Sequence, residues 1–138
     1  DYINDMYEIN TSAEFRQKKR MTEAYRKKIL NYTDEENNEY YGITDMSGKL
    51  VAYAYIVYFL EAAYIYKIIG HKKNLDDGIM YLLGVSLISI MIERMRSIRP
   101  KLKYALYDSF LTNTAGLALY KKRFGFKPYK IDWTLSKK

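Results

Sequence analysis

The spacing of hydrophobic positions changes twice along this chain. In residues 50–60, Tyr53, Tyr55 and Val57 alternate with Ala52, Ala54 and Ile56, the two-residue period of a strand covered on both faces. Residues 40–44 precede it across the turn Asp45-Met-Ser-Gly48, where a glycine suits a left-handed position. A second turn at Glu61-Ala62 leads into residues 63–69, and the three segments together predict an antiparallel meander. After a polar loop at 70–77 the period becomes helical. Ile79, Leu82, Leu83, Ser86, Leu87, Ile90 and Met91 form one stripe between Gly78 and about Ser97. Val85, Ile88 and Ile92 widen it, so this helix is predicted to be covered on most sides. Its apolar run, 79–92, is shorter than the roughly 20 residues a membrane span requires.

The two ends read less clearly. Residues 1–10 carry little pattern and are assigned to a short edge strand. Thr11-Ser-Ala-Glu14 matches a capping box, in which the two side chains satisfy free backbone N–H groups reciprocally. It predicts a basic helix over about 12–30 that offers Phe15, Ala24, Tyr25 and Ile29 for burial. Residues 31–38 are polar and acidic, a loop or a short second helix. Beyond Pro100, Lys103-Tyr-Ala-Leu-Tyr107 reads as a strand, placed parallel beside 63–69. Residues 108–113 supply turn and cap chemistry, and 114–124 put Leu117, Tyr120 and Phe124 on one helical face. Gly125 stops that helix, and 126–135 return as a strand after Pro128. No repeat, low-complexity tract or linker interrupts the chain. The pattern predicts one α+β domain over 1–138, a sheet flanked by helices.

Composition narrows the function classes. The chain has no cysteine, which excludes disulfides, thiolate metal sites and a cysteine nucleophile. That fits a reducing compartment, and we expect the cytoplasm. A net charge of +7 and a pI of about 9.4 suit an anionic partner such as a nucleotide cofactor, and equally suit a lysine-rich solvated surface. No Arg-Gly-Gly tract or cluster of zinc ligands accompanies the charge, and no metal is expected. The chain opens on Asp1 rather than methionine, as a processed or excised piece would.

The run Asn113-Thr-Ala-Gly-Leu-Ala-Leu-Tyr-Lys-Lys-Arg-Phe-Gly-Phe126 resembles the Asn-x-x-Ala-x-x-Leu-Tyr-x-Lys-x-Gly-Phe ending of the GCN5-related N-acetyltransferases (GNAT). Gly48-Lys-Leu-Val-Ala52 is similar to that family's Gly-x-Leu-Val-Gly/Ala strand entry, and the resemblance covers about residues 40–135. It departs in one respect: Tyr120 lies five residues before Gly125 rather than four, so Lys121 takes the tyrosine's place. The same segment is similar to the Fem-type aminoacyltransferases, through Tyr107-Asp108, Gly116-Leu117, Tyr120-Lys121 and Phe124-Gly125. Both resemblances imply one fold, a mixed sheet with an antiparallel meander. They differ on the acyl donor, which is acetyl-coenzyme A or another acyl-coenzyme A in the first and a charged tRNA in the second.

The resemblance also implies a site. The donor phosphates would meet the loop Gly70-His-Lys-Lys-Asn-Leu-Asp-Asp-Gly78, which keeps a glycine at the helix entrance but lacks the family's double-glycine spacing. Ile69, Lys72, Lys73, Asp77, Gly78, Ile79 and Asn113 are the cofactor-side candidates. Asp77 is unfavourable there unless it caps the helix, and Asn113 reads first as a helix N-cap, although the family pattern places a cofactor-side asparagine at this position. Tyr120 would protonate a leaving thiolate, or else pack in the core. Lys121 would hold phosphate or a developing oxyanion, or else lie on the surface. Asp108 would orient an acceptor amine, or else cap a turn. His71, the only histidine, is an acid–base candidate by type. Lys67 falls on the Ile65 and Ile69 side of its strand, as an edge residue that snorkels or a cation near the donor. The expected acceptor is a small-molecule or peptide amine, and a homodimer is allowed.

Overall fold

A computed structural model describes residues 2–16, 19–28, 36–107, 114–130 and 132. Their order is α1 (Ile3–Thr11), β1 (Phe15–Arg16), β2 (Lys19–Arg20), α2 (Glu23–Arg26), β3 (Asn38–Thr44), β4 (Leu50–Phe59), β5 (Ala62–Gly70), a 3-10 turn (Lys72–Asp77), α3 (Ile79–Arg96), β6 (Tyr104–Leu106) and α4 (Ala115–Arg123). Two compact units result, 1–108 and 109–138.

The first unit is built on a mixed sheet in the order β3-β4-β5-β6. The meander is antiparallel as predicted, and β6 pairs parallel to β5. One face carries Tyr40, Tyr53 and Ile69, which pack with Leu50 and with Met6 and Ile9 of α1. Tyr41 and Ala54, register partners one residue along from Tyr40 and Tyr53, face the other way. There Arg94 of α3 reaches the Tyr41 hydroxyl. The sheet therefore lies between α1 and α3.

The amino-terminal prediction is corrected. The first helix is α1, where an edge strand was expected, and no helix continues from Ser12 through the described part of 12–30. Met6, Ile9, Asn10 and Ala13 are the buried positions, spaced by three and four. The Thr11 and Ser12 hydroxyls donate backwards to the Tyr7 and Ile9 carbonyls, both at 2.8 Å, so they finish a helix instead of starting one. Glu14 pairs with Arg20 at 3.4 Å across the β1–β2 ribbon and is not part of a capping box. Phe15 and Tyr25 are exposed accordingly, and Ile29 lies outside the described residues.

Helix α3 runs as predicted but is buried on one side only. Ile79, Leu83, Leu87 and Met91 repeat every four residues and are buried, whereas Leu82, Val85 and Ile92 are exposed. A single sheet covers a single stripe. In the second unit α4 forms where predicted, but its N-cap is Thr114 and not the expected Asn113; the Thr114 hydroxyl accepts from the Leu117 N–H at 3.4 Å. Its end is a Schellman turn: Phe126 N–H bonds the Lys121 carbonyl and Gly125 N–H the Lys122 carbonyl, both at 3.0 Å. The strand expected over 126–135 is not formed at 126–130, where Pro128 lacks a donor and Lys127, Tyr129 and Lys130 are exposed. The remainder of that segment is largely outside the described residues.

Candidate functional site

The pairing of β5 with β6 stops early. Only Ala62, Ala63 and Tyr64 have partners, Tyr104, Ala105 and Leu106. Among the described residues no strand pairs with that edge of β5 beyond Tyr64. On its other edge β5 carries a bulge: Tyr55 opposes Lys67 while Ile56 opposes Ile65, leaving Tyr66 as the extra residue. The strand thus bends where its neighbour departs.

At the end of β5 the chain turns directly into the candidate donor loop. A Cβ on Gly70 would stand 2.7 Å from Met80 Sδ and 3.2 Å from a Leu75 methyl, so the strand end lies against the first turn of α3. Gly78, at φ +73°, provides the left-handed entry to that helix. The first turn of α3 holds no acidic residue and its N-cap supplies no side-chain acceptor, which leaves its positive end available to an anion. Asp76 and Asp77 precede it in the 3-10 turn and are exposed. Asp77 accepts weakly from the Asn74 side chain, at 3.5 Å.

Part of this loop is already occupied with its own bonds. Lys72 N–H donates to Ser12 Oγ at 3.1 Å, and Asn74 N–H to the His71 carbonyl at 3.0 Å. Lys73 N–H donates to His71 Nδ1 at 3.2 Å, which requires that nitrogen to be unprotonated. Partial burial, and then the charges of Lys73 and Lys49, hold the imidazole pKa below its usual value. His71 is therefore a neutral cap whose acceptor nitrogen is engaged. The side chains of Lys72 and Lys73 are exposed.

Of the predicted residues, Ile69, His71, Lys72, Lys73, Asp77, Gly78 and Ile79 come together in this one stretch, with Ile69 and Ile79 buried. Tyr120 and Lys121 belong to the second unit. Tyr120 packs on Phe124 with ring centroids 4.8 Å apart, and Lys121 is only 3% exposed, not the surface lysine its sequence context allowed. Asp108 and Asn113 lie outside the described residues.

A polar group beside the loop was only partly anticipated. Lys67 does not snorkel to solvent. Its Nζ lies 3.2 Å from Asn10 Oδ1 and over the rings of Tyr25 and Tyr53, at 4.4 and 5.1 Å. Asn10 is buried and also accepts from the Tyr53 hydroxyl at 2.7 Å. Burial, then the charge of Arg16, lowers the Lys67 pKa to about 8. The signal available in the sequence was a lysine at an inward strand position. Nothing marked Asn10 or Arg16, which depend on α1.

Among the described residues no group of three or more His, Asp or Glu side chains is placed to hold a metal, and no helix is long and apolar enough to cross a membrane.

No family model and no curated protein matches the chain. Solved structures do. An aminoglycoside 6'-N-acetyltransferase from Acinetobacter haemolyticus superposes with TM-score 0.51 at 14% identity, over 75% of this chain and 72% of that one. AAC(6')-Iy, solved with a bisubstrate analogue of coenzyme A, gives TM-score 0.52 at 12% identity, over 75% and 71%. The fold is that of the GNAT acetyltransferases. A Trypanosoma brucei acetyltransferase matches more loosely, at TM-score 0.47 and 15% identity over 67% of this chain, which spans 63% of its length. In the GNAT-like fold described here, the candidate site lies at the half of β5 that no described strand pairs.

Proposed function

We propose that the protein is an N-acyltransferase that moves an acyl group, acetyl in the simplest case, from an acyl-coenzyme A to a primary amine by direct attack. The observation that carries this reading is the edge of β5 beyond Tyr64, which no described strand pairs, followed through the 3-10 turn by a helix whose first turn holds no acidic residue. An exposed strand edge offers backbone N–H groups to a thioester carbonyl, and a helix N-terminus offers them to phosphates. In the reaction the neutral amine nitrogen bonds to the carbonyl carbon and then loses a proton. The C–S bond breaks and the thiolate takes up a proton.

The roles follow from this chemistry. The backbone from Leu75 to Ile79, with the side chains of Lys72 and Lys73, binds the donor, since the Lys73 and Asn74 N–H groups are engaged by His71, and Ile69 lines its entry. Asp77 serves as a local cap. His71 holds the loop in shape, since its Nδ1 is committed to Lys73. Tyr120 supplies the proton to the thiolate. Asp108 orients the acceptor and Asn113 lies on the donor side, both as the family resemblance implies. The acceptor is a small-molecule or peptide amine, the compartment the cytoplasm, and a homodimer is compatible with the reading.

Titration calorimetry with acetyl-coenzyme A tests the donor. Saturable binding is expected, and its absence would overturn the proposal. For the acid, Tyr120→Phe keeps the ring and removes the hydroxyl, so single-turnover transfer should slow about 10²-fold or more, while Lys121→Ala does little. One observation favours aminoacyl transfer from a charged tRNA as a second reading: Lys121 is buried. In that case the leaving group is a ribose hydroxyl beside phosphates, and the order of the two effects reverses. Donor binding without transfer would instead indicate a non-catalytic nucleotide-binding domain.

A further inference from the structure

Two cations stand beside the C-terminal end of α1, and neither meets a carboxylate among the described residues. Arg16 Nη2 donates to the Ile9 carbonyl and to Ser12 Oγ, both at 2.9 Å, while its buried Nε has no hydrogen-bond partner among the described residues. Lys67 approaches from β5 and has Asn10 Oδ1 and two tyrosine rings for company. None of the ion pairs formed among the described residues includes either side chain. Burial disfavours the charge on both, and the Arg16 charge acts further against that on Lys67. Two like charges in partly buried surroundings, with only neutral partners among the described residues, favour the approach of an anion.

The place of this pair in the fold connects it to the donor loop. Ser12 Oγ, which accepts from Arg16, also accepts from the Lys72 N–H. Arg16 is therefore two hydrogen bonds from the backbone that opens the 3-10 turn. On the sheet, Lys67 is the register partner of Tyr55, so the two side chains share a face. That face carries a ladder of tyrosines. Tyr40 stacks on Tyr55 at 4.6 Å, Tyr55 meets Tyr66 edge-on at 5.7 Å, and Tyr66 meets Tyr64 at 6.0 Å. Tyr66 is 64% exposed and lies on the stretch of β5 that no described strand pairs. The cations thus adjoin an accessible aromatic surface beside the proposed donor site.

We propose that Arg16 and Lys67 form a binding subsite for an anionic group, a carboxylate or phosphate carried by the acceptor amine, whose body rests on Tyr55 and Tyr66. The anion subsite stands on its own geometry, and only its assignment to the acceptor rests on the acyl-transfer reading. The acceptor class is then an amine with an acid on the same molecule, not a polyamine. A polycation would meet two further positive charges at this position.

The test begins with the wild-type chain, titrated calorimetrically with succinate and separately with inorganic phosphate in low-chloride buffer near neutral pH. One of the two is expected to bind saturably with a stoichiometry of about one, which also tells carboxylate from phosphate. Arg16→Gln keeps an amide donor for the Ile9 carbonyl, and Lys67→Met keeps the stem between the tyrosines. Each should weaken binding about tenfold or more, the usual scale for a charge-assisted hydrogen bond. A variant-independent readout is the Arg16 Nε–H resonance, which should shift with the same midpoint as the heat. Binding of neither anion overturns the proposal, because it means that the position is filled from within the chain. Binding that leaves the Arg16 resonance unmoved overturns it as well.

The acceptor assignment is read by comparing phenylalanine with phenethylamine in the transfer assay. The acid should have the higher kcat/KM by about tenfold, and Lys67→Met should remove the difference. Transfer that shows no such preference defeats the acceptor class while leaving the acyl-transfer reading intact. Anion binding without transfer to any amine supports the subsite and removes the acyl-transfer reading.

Discussion

Lys67 occupies a strand position where Asn10 and the rings of Tyr25 and Tyr53 replace much of its water, which weakens its hold on the proton. Burial and Arg16 bring its pKa from the ordinary 10.5 to about 8. Between these two values the unfolded chain holds the proton and the folded one has released it. Stability contributed by this group therefore rises with pH across that window and is constant below it. Tyrosine ionisation begins near pH 10, so urea midpoints from about pH 7.5 to about 9.5 isolate the effect. Wild type should gain stability relative to Lys67→Met as pH rises through this range. A difference that does not change with pH would mean that the ammonium is as well solvated as in the unfolded chain. His71 illustrates the opposite outcome at the same scale. Its residue type suggested catalysis, and the bond from Lys73 N–H makes it a cap.

Among the elements, the joint between β5 and α3 matters most. Its outline was legible in the sequence: an apolar strand, a polar loop, Gly78, then a helical stripe. The loop's detail was not, because it depends on Ser12 reaching in from a different element to take the Lys72 N–H. If phosphates dock at the start of α3, Lys72 and Lys73 should contribute charge to that site from their exposed positions. The double change Lys72→Glu/Lys73→Glu is expected to weaken acetyl-coenzyme A binding by about 1–3 kcal/mol, measured by calorimetry with the melting temperature as control. Unchanged affinity in a folded variant would return both lysines to the solvated surface. Helix α1 teaches a related lesson. The string Thr11-Ser-Ala-Glu14 satisfies a start signal, yet the hydroxyls bond backwards, since burial of Met6 and Ile9 had already decided where the helix lies.

At the scale of the whole molecule, long-range polar bonds tie the sheet of the first unit to α3. Glu39 on β3 accepts from the hydroxyls of Tyr41 and of Tyr58 on β4, the latter at 2.8 Å, and pairs with Arg94 of α3 at 3.4 Å. Partial burial alone would raise its pKa, but the two hydroxyls and the charges of Arg94 and Arg99 outweigh it, so the carboxylate is held below its ordinary 4.5. Stability from this group is present above the unfolded pKa and is lost as pH falls through the lower folded value. Glu39→Gln should cost about 1–3 kcal/mol near neutral pH, because two partly buried hydroxyls lose a charged acceptor. Chemical denaturation measures it, and the cost should shrink in acid. An equal cost at both pH values would assign the effect to packing.

The sequence by itself determined the elements whose pattern is local. Period-two alternation and the turns at Asp45–Gly48 and Glu61-Ala62 specified the meander, a stripe of helical period specified α3, and Gly125 specified the end of α4. Tertiary structure decided everything that depends on a second segment. It set the extent of the β5–β6 pairing among the described residues, and it exposed Leu82, Val85 and Ile92 where the widened stripe of α3 suggested cover on most sides. It also joined Asn10, Arg16, Tyr25, Tyr53 and Lys67 from five separate parts of the chain. The physical reason is range. Backbone periodicity and turn chemistry act between neighbours in sequence, whereas burial, charge balance and pKa depend on neighbours in space.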